Sequence, residues 1–118
     1  MELLRKIHLN DKEILVLDYS NKKVAEMIAV FDAAKQLILS EGKPMLTLSV
    51  FENNHITPQF MRHLEKEVKE VEHLIGKLAV VGLSDIQLWI LKGMNLWYKR
   101  QAYHFKSVDE ASAFLTTD

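Results

Sequence analysis

"MLTLSVFENNHITPQF", Met45 to Phe60, carries one complete step from strand to helix. "MLTLSV" is an apolar run of strand length. "ENNH" is polar and irregular, as in a turn that tolerates left-handed backbone. Thr57 then stands where a short hydroxyl side chain caps a helix, and Pro58 falls at the first helical position, where a missing N–H costs nothing. Downstream, Phe60, Met61, Leu64, Val68, Val71 and Ile75 recur on one side of a helix whose other side is charged. Glu65 and Lys69 make a favourable i,i+4 pair. Gly76 is read as the stop, and "KLAVVGL", residues 77–83, as the next strand. Strand, helix and strand in succession imply parallel pairing through a right-handed crossover.

Working outward, the same alternation continues in both directions. Residues 3–9, "LLRKIHL", read as an edge strand, "NDKE" as a turn, and "ILVLDY", residues 14–19, as a strand covered on both faces. These two form a hairpin. Ser20 or Asn21 is the expected cap of a first helix bearing Val24, Met27, Phe31, Ala34 and Ile38 on its apolar side. "SEGKP" ends it, with Gly42 as a left-handed cap and Pro44 unable to continue. Beyond the strand at 77–83, Ser84 and Gln87 have capping-box spacing and open a third helix. That helix is apolar almost all round, through Ile86, Leu88, Trp89, Ile90, Leu91 and Met94. "QAYHF", residues 101–105, is a short fifth strand. Ser107 and Glu110 form a second capping box before a last helix that turns Ala111, Phe114 and Leu115 inward. The order β-β-α-β-α-β-α-β-α predicts a single α/β domain over residues 1–118. Its sheet is mixed and mostly parallel. The first two helices share one face, and at least part of the rest lies near an edge.

Composition narrows the function classes. The chain has 118 residues, 48% of them hydrophobic and 26% charged, with a formal net charge of −1. That balance gives no general electrostatic affinity for nucleic acid. With no cysteine, disulfides, thiolate catalysis and cysteine-ligated zinc are excluded. No signal-peptide pattern is visible, and the longest apolar run, "LWIL", is far too short to span a bilayer. A cytoplasmic protein without stable membrane insertion is the expectation.

No motif assigns chemistry. His8, His55, His63, His73 and His104 show neither H-x-H nor H-E-x-x-H spacing. No metal or cofactor is expected. There is no nucleophile elbow and no phosphate-cradling glycine loop. Ser84 and Ser107 are better explained as caps than as nucleophiles. Ligands of parallel α/β sheets gather beyond the carboxyl ends of the strands. The loops there carry Asn53, Asn54, His55 and Thr57 after one strand and Ser84 and Asp85 after the next, so these six form a candidate cluster. Trp89 and Trp97 are the second candidate: they complete the core, line a pocket or cover a partner.

The element order, the length and above all "GKLAVVGLSDIQLWILKGMNLWYKRQAYHFKSVDEASAFL" make the chain resemble the SpoIIAA-like proteins of the STAS superfamily. The resemblance implies a mixed sheet with helices packed mainly on one face. In the anti-sigma-factor antagonists of that superfamily, a serine at the start of the second helix is phosphorylated and controls protein binding. Here the region reads "FENNHITPQF": the aspartate–serine pair is missing, and Thr57 is the hydroxyl at the helix start.

Two functions of different class follow. The first is a non-enzymatic regulatory or interaction module, with a protein partner or a second copy of the chain as its target. The alternative is a binder of a small apolar or lipid-like molecule, in a pocket between the third helix and the sheet lined by Trp89, Met94 and Trp97. An enzyme with His55 as base and Asn53 or Asn54 as oxyanion donor lacks a nucleophile and an orienting acid.

Overall fold

The computed structural model describes residues 4–53, 56–84, 87–89, 92–93 and 102–117. Five strands lie side by side in chain order: β1 (Leu4–Leu9), β2 (Lys12–Asp18), β3 (Met45–Val50), β4 (Ile75–Val81) and β5 (Ala102–Phe105). The first pair is antiparallel and the other three are parallel. Leu9 opposes Lys12, so the hairpin loop is only Asn10 and Asp11. Both are left-handed, with φ of 53° and 62°. A two-residue turn between twisted strands needs that geometry, and Asn and Asp tolerate it.

Each parallel step moves the same way across the sheet, so right-handed crossovers place α1 (Val24–Glu41) and α2 (Pro58–Glu67) on one face. Side-chain alternation then divides the core. Leu15, Leu17, Val80 and Ala102 pack under Met27, Val30, Phe31 and Phe60 of those helices. Ile14, Val16, Leu48, Val50, Ala79 and Val81 point to the other face, against Ala111 and Leu115 of α3 (Val108–Thr116). This explains why "ILVL" shows no polar alternation: all four residues are buried, two on each face. The expected α/β fold is present, with its mostly parallel mixed sheet.

Three local expectations are corrected. Lys23, not Ser20 or Asn21, is the N-cap of α1, and its N–H donates to Glu26 Oε1 at 3.1 Å. Ser20 and Asn21 are engaged elsewhere: the Ser20 N–H donates to Asp18 Oδ1 (2.9 Å), and the left-handed Asn21 donates to Glu52 O (3.0 Å). The second helix stops at Glu67 and gives way to two 3-10 turns, Val68–Glu70 and Glu72–Leu74. Val68, Val71 and Leu74 are spaced by three, which keeps an inward face in a 3-10 turn as well as in an α-helix. Gly76 is not a helix stop but lies inside β4, where the register slips between Met45–Ile75 and Leu46–Lys77. The last helix lies across the other face of the sheet, where it covers apolar side chains of β2, β3 and β4 that would otherwise meet water. Lys77 Nζ donates to Phe114 O (3.2 Å) and Thr117 O (2.5 Å), satisfying carbonyls at its C-terminal end.

The caps at Thr57, Ser84 and Ser107 and the left-handed Gly42 are as expected from the sequence. Residues 87–89 and 92–93 are helical; the rest of the expected third helix lies outside the described residues.

Candidate functional site

The carboxyl ends of β2, β3 and β4 are drawn together past the strands themselves. Tyr19 N–H donates to Val50 O at 2.8 Å, and Phe51 N–H donates to Val81 O at 2.8 Å. Tyr19 and Phe51 therefore stack, with ring centroids 4.6 Å apart, and Phe60 meets Tyr19 edge-on at 5.3 Å. These offset and edge-on arrangements suit the ring quadrupoles. Burial pushes the Tyr19 phenol pKa well up, so the group stays protonated.

Beside this aromatic cluster lies a cavity of about 80 Å³, between the sheet and α1 and α2. Leu17, Thr47, Ser49 and Val80 form its floor, Phe31 and Ile38 one wall, Phe60 and Leu64 another, and Leu83 and Gln87 border it just past the carboxyl end of β4. The floor is unusual for its position. Thr47 and Ser49 lie on the central strand, flanked by β2 and β4, and both are buried. Thr47 Oγ1 donates to Lys77 O at 3.2 Å. The Ser49 hydroxyl opens onto the cavity and makes no hydrogen bond to the described residues.

Lys35 also borders the cavity, with its ammonium already held by Glu67 Oε2 (2.8 Å) and by the Glu70 carboxylate. The hydrogen bond from Lys35 holds the Glu67 carboxyl below the usual carboxylate range. On β5, His104 Nε2 is buried without a partner among the described residues, and burial lowers the pKa of the ring. No group of three or more His, Asp or Glu is placed to hold a metal ion among the described residues.

The sequence-predicted residues divide sharply. The loops after β3 and β4 do meet. A Cβ on Gly82 would stand 2.7 Å from Glu52 Cγ and 2.9 Å from Glu52 N, and Gly82 has φ of 91°. Only glycine fits that conformation in that space. Asn53, next to this contact, is exposed and left-handed, a turn residue. Thr57 accepts the Phe60 N–H at 3.2 Å as the N-cap of α2. Ser84 and Gln87 bond reciprocally, Ser84 N–H to Gln87 Oε1 at 3.0 Å and Gln87 N–H to Ser84 Oγ at 3.3 Å. Asn54, His55, Asp85, Met94 and Trp97 lie outside the described residues. Trp89 neither completes the core nor lines the cavity: it is 73% exposed, with Lys92 Nζ 4.8 Å from its ring centroid. The helix starting at the Ser84 cap turns Gln87 to the protein and Trp89 away. Sequence reading passed over Thr47 and Ser49, although two hydroxyl residues at alternate positions of an interior strand were a visible signal.

No protein-family model matches the chain, and no curated protein matches it. Among solved structures, it is similar to a protein of the DUF3478 family from Shewanella loihica, whose crystal structure has a SpoIIAA-like fold. The TM-score is 0.61 at 12% identity, and the match covers 95% of this chain and 91% of that one. The fold is SpoIIAA-like. At this identity the likeness speaks for architecture alone. Thr57, at the start of the second helix, serves as its N-cap. No helix among the described residues is long and apolar enough to cross a membrane.

Proposed function

We propose that this SpoIIAA-like chain is a non-enzymatic binding protein that takes a small, mainly apolar molecule into the cavity between the sheet and α1 and α2. The cavity carries the reading. Protein interiors pack densely and leave few voids larger than a water. This one has about 80 Å³, against the roughly 10–15 Å³ that a single water centre needs. Its walls are aliphatic and aromatic, with a few polar groups, which is the usual make-up of a small-molecule site. Among the described residues its lining has no histidine or carboxylate to act as a base on Ser49 or Thr47, which favours binding over catalysis. Native mass spectrometry of gently purified protein tests the proposal. A retained small molecule, displaced by organic solvent, is expected; bare protein, unshifted in melting temperature by any member of an apolar ligand panel, would count against it.

Trp89 favours a second reading, a protein-interaction module. A tryptophan exposed to 73%, with a cation against its face, is of the type that anchors interfaces. The partner would be another protein or a second copy of this chain. Light scattering and pull-down with Trp89→Ala test it: unchanged mass and unchanged capture in the variant would remove it.

A further inference from the structure

We infer that the cavity selects an uncharged ligand bearing one hydrogen-bond acceptor, such as a ketone, ester or amide carbonyl on an aliphatic body, and that the Ser49 hydroxyl is the group that reads it. This rests on the ligand-binding reading above. Ser49 is 8% exposed and borders the cavity, and its hydroxyl has no partner among the described residues. The hydroxyl opens onto the cavity and donates to no described protein group there, so it is available to an occupant that accepts its hydrogen bond. Nothing else on the floor competes for that occupant. β3 pairs with β2 on one side and β4 on the other, so its backbone amides and carbonyls are engaged in the ladders. Thr47 donates its own hydrogen to Lys77 O and is left an acceptor.

Charge selects in the same direction. An ionised head group needs an opposite charge once it leaves water. Among the described residues the cation bordering the cavity is Lys35, and Glu67 and Glu70 already hold it. With both carboxylates bonded to it, that ammonium is not available to an ionised fatty acid, whose head group would enter the cavity unpaired. A cationic amine would likewise enter without a partner, because Glu67 and Glu70 are not among the lining residues and are already bonded to Lys35. An uncharged oxygen meets neither obstacle.

Calorimetric titration of the full chain with 2-octanone, octanoate and octylamine at one pH and salt concentration tests the inference, run on the native protein and on Ser49→Ala and Ser49→Thr. The expected result is 2-octanone binding about tenfold more tightly than either charged probe. Ser49→Ala should weaken the ketone about five- to tenfold, and Ser49→Thr, which keeps the hydroxyl, should restore most of that. Circular dichroism melts of the variants separate loss of contact from loss of fold. Octanoate or octylamine binding as well as the ketone, or Ser49→Ala binding the ketone unchanged, overturns the inference while leaving the ligand-binding reading intact. If none of the three probes binds the native protein, both fall together.

Discussion

Gly82→Ala tests how the carboxyl end of the sheet is built. The substitution introduces two separable penalties. The first is conformational: φ of 91° is left-handed, where a side chain costs about 1–2 kcal/mol. The second is steric. The new Cβ would lie 2.7 Å from Glu52 Cγ, which can swing aside, and 2.9 Å from Glu52 N, which cannot without moving the loop after β3. Together these predict a loss of about 2–4 kcal/mol, within the range for strain at a special backbone position. Gly42→Ala is the internal reference. It has φ of 65° and nothing within 4 Å of the added carbon, so it carries the conformational penalty alone, about 1 kcal/mol. Urea unfolding with an unchanged m-value measures both. Adding Glu52→Ala to the Gly82 variant should recover only part of the loss, because the backbone contact persists. A Gly82→Ala variant no less stable than Gly42→Ala would refute the claim that the two loops are pressed together.

Thr57→Ala should destabilise by about 1 kcal/mol in urea unfolding, the usual value of an N-cap hydroxyl. Trp89→Ala should change stability by less than about 0.5 kcal/mol, because so exposed a side chain supports little of the fold; a larger loss would return it to the core. Leu48→Ala, on the buried face under α3, should cost about 2–5 kcal/mol by the same assay. Burial lowers the folded-state pKa of His104 below its ordinary 6.5, so the unfolded chain binds the proton more readily. Its contribution is therefore complete above about pH 6.5 and declines as pH falls through the folded value. His104→Gln should flatten that part of the stability–pH curve, read by urea midpoints between pH 5 and about 7.5.

The fold was legible because its signals are local and agree with one another. "ILVL" announces burial on both faces, Asn10-Asp11 a tight turn, and Thr57-Pro58 a helix start. What escaped depends on context. Val68, Val71 and Leu74 satisfy α and 3-10 spacing alike, so the change of helix type and the early start of β4 were hidden. The face chosen by the last helix depends on which side of the sheet the others leave bare. The candidate site escaped for a related reason. Polar loops at strand ends drew attention to Asn53 and Ser84, which serve turn and cap, while Ser49 sat unnoticed in an apolar strand. A serine there means little until the space above it is known. Trp89 misled because an all-apolar helix does not reveal which of its sides meets solvent.

The central claim is that the space above Thr47 and Ser49 receives a small apolar molecule. Amide chemical-shift mapping during titration with 2-octanone tests it most directly. The account predicts saturable shifts concentrated at Leu17, Ser49, Phe51 and Val80, with Ala111 and Leu115 on the opposite face unmoved. Shifts confined to the surroundings of Trp89, or spread evenly without saturation, would contradict it.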